Sequence, residues 1–220
     1  MTLKLNGSTS GSVSIDAPAS TTGGADRTLT LPDDSSNGVI KTSTYPSSIQ
    51  ILEQLFCPCD GSVIATSNGN ITIVDKDDAQ ALTTSYADIL GSTIAYNPPT
   101  GTTQVIYEYH FFGLRADDDA AIGHFKFWID SDEVTDARMS VGALYVSHTL
   151  TFKWAINIGG SAVTATGRQA SWSSAKTLKL TGREYGSSNE AVLNQTYHWD
   201  GGASAQFHRP QIGITAIGAA

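Results

Sequence analysis

Three carboxylates fall within four residues at Asp130, Asp132 and Glu133. Carboxylates at such short spacing repel one another unless water or a cation screens them, and hard oxygen ligands of this kind suit Ca²⁺. The segment lacks the glycine and the distal glutamate of an EF-hand loop. We therefore keep two interpretations, solvated loop acids, which are the commoner case, or a calcium site, and we expect no other cofactor.

A second candidate is the segment 197–202, which reads Tyr-His-Trp-Asp-Gly-Gly. An aromatic ring beside a flexible glycine turn can stack on a pyranose, and a carboxylate can accept hydrogen bonds from sugar hydroxyls. Most aromatic residues in a β protein instead pack in the core or between subunits. The pattern makes Tyr197, Trp199 and Asp200 the predicted glycan-binding residues.

No group of residues fits a catalytic site. Paired carboxylates occur in glycoside hydrolases, yet nothing in the sequence marks one acid for a raised pKa, and no nucleophile elbow is present. We expect no catalytic residues and no enzymatic activity. The histidines have no metal-binding spacing and are predicted to be partly buried polar side chains: His110, His124, His148, His198 and His208.

The two cysteines, Cys57 and Cys59, flank a proline. A disulfide between residues two apart would be badly strained, and the chain has no other cysteine for either to pair with. Two thiols with no histidine or cysteine nearby in sequence also make a poor zinc site. We therefore predict two reduced thiols beside a turn.

The composition excludes several kinds of partner. The net charge is −8, so a basic face for nucleic acid is not expected. No run approaches the ~20 apolar residues of a membrane-spanning helix, and the opening residues lack the apolar core of a signal peptide, which predicts synthesis in a cytoplasm and no membrane insertion. Charged residues make up only 15% of the chain, a share that suits short strands and turns better than long surface helices.

From residue 61 onward, short segments of alternating apolar and polar residues are separated by Gly, Asn, Asp and Pro turns. This spacing predicts eight to ten strands and an all-β fold, an antiparallel jelly roll or β-sandwich. Strand–helix alternation is absent, which argues against a parallel α/β fold. The predicted strands lie at 71–74, 92–96, 104–112, 124–129, 145–154, 176–180, 205–208 and 211–217.

The first 45 residues differ from the rest, because their short β-like pieces at 3–5, 12–15 and 27–31 carry too few apolar residues to offset the entropy of ordering. They are either disordered or complete their core with neighbouring chains. Residues 46–56 fit both a helical stripe and strand spacing, with a strand or short connector favoured. We predict an attachment or shaft segment at 1–45, a connector at 46–60 and a head at 61–220, and we expect the strands of three copies to share apolar surface.

Two stretches resemble a known family. The N-terminal module of virion structural proteins from marine and cyanobacterial phages resembles Leu3 to Val13, Asp16-Ala17-Pro18-Ala19 and Leu29-Thr30-Leu31-Pro32 of this chain. The segment 81–98 is similar to the first strands of the C1q-like or TNF-like jelly-roll heads of trimeric phage fibres. In that family the final strand often follows Arg-Pro, as Gln211 follows Arg209-Pro210 here.

The resemblance implies a bacteriophage virion protein, made in the host cytoplasm, that acts as a homotrimer. Its partners would be itself, other virion proteins through the N-terminal segment, and a glycan or protein of the host surface. The first interpretation is a tail-fibre-type appendage for host attachment. The alternative is a capsid decoration protein or head fibre, and a polysaccharide-active enzyme and a cellular C1q-like binding module remain competing hypotheses.

Overall fold

The computed structural model describes residues 2–6, 12–16, 50–113, 120–143, 148–196 and 206–218. The chain divides into two compact units, Met1–Pro46 and Ser47–Ala220. In the first unit, β1 (Thr2–Asn6) pairs with β2 (Ser12–Asp16) as an antiparallel hairpin. This hairpin confirms the predicted strands at 3–5 and 12–15, whereas the third predicted piece, at 27–31, lies outside the described residues.

The second unit is built from strands, and none of its described residues forms an α-helix. Nor does any helix in the described part of the chain have the length and apolar character needed to cross a membrane. A 3₁₀ turn covers Thr164–Thr166. The strands are β3 (Gln50–Pro58), β4 (Val63–Thr66), β5 (Gly69–Thr72), β6 (Gln80–Ala81), β7 (Ala87–Asp88), β8 (Ile94–Tyr96), β9 (Thr102–Phe112), β10 (Ala121–Ile129), β11 (Asp132–Ala143), β12 (Thr149–Asn157), β13 (Lys176–Glu184), β14 (Val192–Leu193), β15 (Gln195–Thr196), β16 (Gln206–Phe207) and β17 (Gln211–Gly218).

Two antiparallel sheets form the body of this unit. Sheet I has the order β12-β9-β17-β3. Sheet II has the order β11-β10-β13, with β7 and β8 both pairing along the far side of β13. Three two-stranded ribbons, β4-β5, β6-β14 and β15-β16, complete the pairing of the described strands.

The pairing of the eight main strands is that of a jelly roll. In chain order they are β3, β8, β9, β10, β11, β12, β13 and β17. The first pairs with the last, the second with the seventh, the third with the sixth and the fourth with the fifth. A long antiparallel ribbon rolled onto itself produces this pattern. The prediction of an all-β antiparallel jelly roll is confirmed.

The core lies between the two sheets because alternate residues of the long strands face inward. Tyr107 of sheet I lies 5.0 Å from Phe127 of sheet II, measured between ring centroids, and Phe152 packs against both rings. The buried phenol of Tyr107 donates a hydrogen bond to the carbonyl of Ser92 at 2.6 Å. Full burial of each such ring contributes roughly 1.5–3 kcal/mol. One copy of this unit therefore has its own core, and the expectation that its strands depend on neighbouring copies for burial is wrong.

The strand favoured for residues 46–56 is confirmed, and it corrects the boundary of the predicted connector at 46–60. Its residues 50–58 form β3, which pairs with β17 along the edge of sheet I. Leu55 and Cys57 are buried while Phe56 between them is half exposed, which is the alternation of a strand rather than of a helix. The jelly roll thus begins at Gln50 rather than at residue 61.

Candidate functional site

The predicted calcium ligand Asp130 lies in the two-residue turn between β10 and β11, with a positive φ of 55°. One oxygen of its carboxylate, Oδ1, accepts a hydrogen bond from the backbone N–H of Thr177 at 2.8 Å. The other, Oδ2, lies 3.1 Å from Nζ of Lys176. Both oxygens therefore bind β13, and the carboxylate holds the turn against that strand.

The carboxylate of Glu133 is also engaged by protein groups. Its Oε1 accepts a hydrogen bond from Nε of Arg138 at 2.6 Å, and its Oε2 from Nζ of Lys126 at 3.0 Å. The hydrogen bond from Arg138 is the main reason that the pKa of Glu133 is lowered. Asp132 and Glu133 are successive residues of β11, so their side chains leave opposite faces of the strand.

These contacts correct the calcium prediction. Asp130 and Glu133 are paired with cations on different strands, and Asp132 does not converge with them. Within the part of the chain that the structure describes, no group of three His, Cys, Asp or Glu residues could hold a metal ion.

The predicted glycan-binding residues Tyr197, Trp199 and Asp200 lie outside the described residues.

The two cysteines are free, buried thiols. Sγ of Cys59 lies 3.3 Å from the carbonyl oxygen of Gly91, to which the thiol donates. Burial is the main reason that the pKa of Cys59 is raised to about 12, and burial also raises the pKa of Cys57. Both thiols therefore stay protonated at neutral pH, a state that is a poor nucleophile and a poor metal ligand.

The outer face of sheet I, defined as its side chains opposite the core, is the first surface with functional potential. Phe56 on β3 is 51% exposed and lies across Gly213 on β17. The ring of Phe56 meets the ring of His110 on β9 edge-on, with centroids 5.1 Å apart. The edge strand therefore presents a large apolar ring to solvent instead of the charges that usually cover an exposed edge.

The centre of this face is made of small and aliphatic side chains. Ile106 on β9 has Ala155 of β12 on one side and Thr215 of β17 on the other. Nε2 of Gln54 donates a hydrogen bond to Oγ1 of Thr215 at 3.2 Å, so these two polar groups are paired with each other within the sheet. The row holding Gly213 continues into Glu108 and Lys153, whose charges neutralise each other at 2.7 Å. The small side chains at the centre of this surface allow another protein to pack closely against it.

Sequence reasoning identified the strands of this face but not the face itself. Ile106, Ala155 and Thr215 come from three strands that are far apart in the chain, and their shared row depends on register. The alternation in 104–112 does separate Ile106 from the buried Val105 and Tyr107, which was the available signal. The neighbours of Ile106 could not be inferred from any local pattern.

Comparisons with known proteins identify no family. No family model matches the chain, and no curated protein matches it. Among solved structures, the chain is similar to an exo-β-agarase at 12% identity and a TM-score of 0.23, with 80% of this chain and 23% of that one covered. It is also similar to a protein of infectious bursal disease virus, Gt strain, at 11% identity and a TM-score of 0.25, with coverage of 73% and 43%.

A third similarity is to the Gx strain of the same virus, at 13% identity and a TM-score of 0.22, covering 72% of this chain and 41% of that one. This chain thus spans less than half the length of each of the three structures. Scores of this size establish no relationship to the agarase or to the viral proteins.

Proposed function

We propose that this protein is a homotrimeric structural component of a bacteriophage virion, a fibre-type appendage that attaches to the host surface. In this proposal the first unit docks onto other virion proteins, and the jelly roll forms the outward head. Three heads on one trimer would add weak individual contacts through their high effective concentration.

The outer face of sheet I is the observation that carries the proposal. Its exposed Phe56 and its small central side chains are features of a surface that packs against protein. A closed ring of three copies would cover this face on every subunit. The rest of the argument comes from the jelly-roll topology and from the likeness of residues 3–13, 29–32 and 81–98 to phage structural proteins.

Light scattering on the purified protein tests the oligomer. We expect a mass three times that of the 23.2 kDa chain. Ala155→Arg places a charged side chain on the edge strand β12, beside Ile106 in the outer face of sheet I, and we expect it to give monomers that remain folded by circular dichroism. Ala65→Arg is the matched control, since Ala65 is an exposed alanine on β4, and it should leave the trimer intact.

Wild-type protein that runs at the mass of one chain contradicts the trimer. So does an Ala155→Arg protein that stays trimeric, because the interface would then lie elsewhere.

The virion role is tested separately by imaging particles labelled with an antibody against this chain. Label at the tail, with a few dozen copies or fewer per particle by quantitative mass spectrometry, supports the fibre. Label over the capsid with hundreds of copies supports the alternative of a decoration protein, and a chain missing from purified particles overturns both.

A further inference from the structure

The outer face of sheet II, on the opposite side of the jelly roll, carries aromatic rings and cations in adjacent rows. His124, Lys126 and Trp128 alternate with the buried Phe125 and Phe127 along β10, so the first three face away from the core. The register of β10 with β13 brings a further cation into this surface. We define the aromatic–cation patch as Tyr86, Lys126, Trp128, Arg183 and Tyr185.

Arg183 is the cation that lies opposite His124. Its Nη1 donates hydrogen bonds to the backbone carbonyls of Glu184 and Tyr185 at 3.1 and 3.3 Å. These two bonds fix the guanidinium group, while its Nε and Nη2 donors make no hydrogen bond to any described residue. A guanidinium edge with two free parallel donors matches a carboxylate or a sulfate.

Among the described residues of this surface, the ion pairs join three cations to two carboxylates, and one of these pairs is Lys179–Asp88. The single carboxylate of Glu133 is shared by Lys126 and Arg138. No carboxylate in the described part of the chain forms an ion pair with Arg183. In a chain with a net charge of −8, this is a local excess of positive charge, and it favours an anionic ligand.

The two tyrosines of the patch present exposed rings beside these cations. Tyr86 is 41% exposed, and its ring centroid lies 4.4 Å from Nζ of Lys126 and 5.5 Å from Cζ of Arg183. Tyr185 is 61% exposed. Trp128 is held by a hydrogen bond from its Nε1 to Oγ1 of Thr181 at 2.9 Å. An exposed ring that combines an apolar face with a polar edge can stack on a sugar and bond its hydroxyls.

His124 supports Tyr185 rather than adding charge. The two rings lie 5.9 Å apart, and Nδ1 of His124 lies 2.5 Å from Oγ of Ser140. Burial, followed by the nearby charge of Arg183, lowers the pKa of His124, so the imidazole is neutral at neutral pH. The positive charge of the patch thus comes from Lys126 and Arg183.

We infer that the aromatic–cation patch binds an acidic saccharide, with Arg183 pairing with its carboxylate or sulfate and Tyr185 stacking on a sugar ring. The inference rests on the proposed function, because it names the class of host-surface molecule that the head would contact. None of the five patch residues belongs to the segment 197–202 that the sequence suggested for glycan binding.

Isothermal titration calorimetry of the full chain tests the inference with three trisaccharides: one of galacturonic acid, a sulfated galactose trisaccharide and the neutral galactose trisaccharide. We expect saturable binding of at least one acidic sugar and none of the neutral one. Arg183→Gln removes the charge and should weaken that binding by roughly tenfold or more, the size expected for a lost charge-assisted bond. Tyr185→Ala should weaken it as well without unfolding the protein, because the ring is mostly exposed.

Arg168→Gln is the matched control, since Arg168 also donates through Nη1 to a backbone carbonyl, that of Gly159, but lies away from the patch. It should bind like the wild type. Equal binding of the neutral sugar, unchanged binding by both patch variants, or no binding below about 10 mM overturns the inference. If the protein is trimeric and present in virions but binds none of the sugars, only the inferred saccharide site is wrong. If the protein is absent from virions, the proposed function is wrong.

Discussion

Phe56 lies so close to Gly213 on the neighbouring strand that a Cβ atom added at Gly213 would be 2.5 Å from Cδ2 of the ring. The glycine thus leaves room for the aromatic side chain of Phe56 above it. Because Phe56 is half exposed, this contact contributes little to a core within one chain. Its position fits a surface that packs against another subunit.

Gly213→Ala is expected to weaken the trimer more than the fold. The new methyl group must push the ring of Phe56 out of the plane of the surface, but that ring can rotate into solvent, so the free energy of unfolding of the monomer should change by only about 1 kcal/mol or less. Concentration-dependent sedimentation should show dissociation of the trimer at higher protein concentration than for the wild type. An unchanged dissociation constant would mean that Phe56 is not in the subunit interface.

Gly182 faces the core, so Gly182→Ala should weaken the fold more than the trimer. A Cβ atom there would lie 2.7 Å from Cδ1 of Ile89 and 3.1 Å from Cδ1 of Phe125, both of which are buried between the sheets. Overpacking of this kind typically costs ~1–3 kcal/mol of unfolding free energy. Urea denaturation measures it, and a loss no greater than that of Gly213→Ala would show that the core at Ile89 accommodates the methyl group.

Glu133 should make stability depend on pH in the acidic range. Its pKa is lowered in the folded state, chiefly by the hydrogen bond from Arg138, so the folded protein binds fewer protons than the unfolded chain as the pH falls toward the carboxyl range. The stabilisation is therefore present above the ordinary glutamate pKa of 4.5 and is lost as the pH falls below it. Urea denaturation at several acidic pH values measures this dependence.

Glu133→Gln should flatten that acidic dependence, because the amide does not titrate. Arg138→Gln removes the hydrogen bond that chiefly lowers the pKa of Glu133, so it should flatten the dependence as well. Calcium chloride added to the wild type should not raise the melting temperature, because both oxygens of Glu133 already bind cationic side chains. A calcium-dependent increase that Glu133→Gln abolishes would restore the predicted metal site.

Local alternation was sufficient to predict most of the jelly roll. In 104–112 and 124–129 every second residue is large and apolar, and the structure buries those residues between the sheets. β11 was not predicted, because a bulge opposite Phe125 and Phe127 breaks its period. The inward residues Val134 and Ala137 are three apart instead of two, so the strand does not alternate in sequence.

The surfaces were harder to predict than the strands. Asp130 and Glu133 were interpreted from their spacing alone. Strand register brings Lys176 to Asp130, and the bulge in β11 brings Arg138 to Glu133. Likewise, Arg183 reaches His124 only because β13 pairs with β10. A single sequence gives the faces of each strand, but it does not give the order of strands that combines those faces into a site.

The buried thiols give a final prediction, on chemical reactivity. Burial raises the pKa of Cys59 to about 12, whereas the thiol pKa in the unfolded chain is 9.0. Above pH 9.0 the unfolded chain therefore loses this proton while the folded protein still keeps it. This contribution to stability is complete below the unfolded value and is lost as the pH rises from there toward the folded value. At about pH 8 the folded protein should not react with Ellman's reagent, since the reagent requires an accessible thiolate.

After unfolding in urea, Cys57 and Cys59 should both react, giving two thiols per chain. Cys57→Ala separates the two sites, because any reaction that remains in the folded variant must come from Cys59. Rapid labelling of that variant would show that the segment around Cys59, which follows β3, opens far more readily than its backbone hydrogen bonds to Pro210 and Lys76 imply.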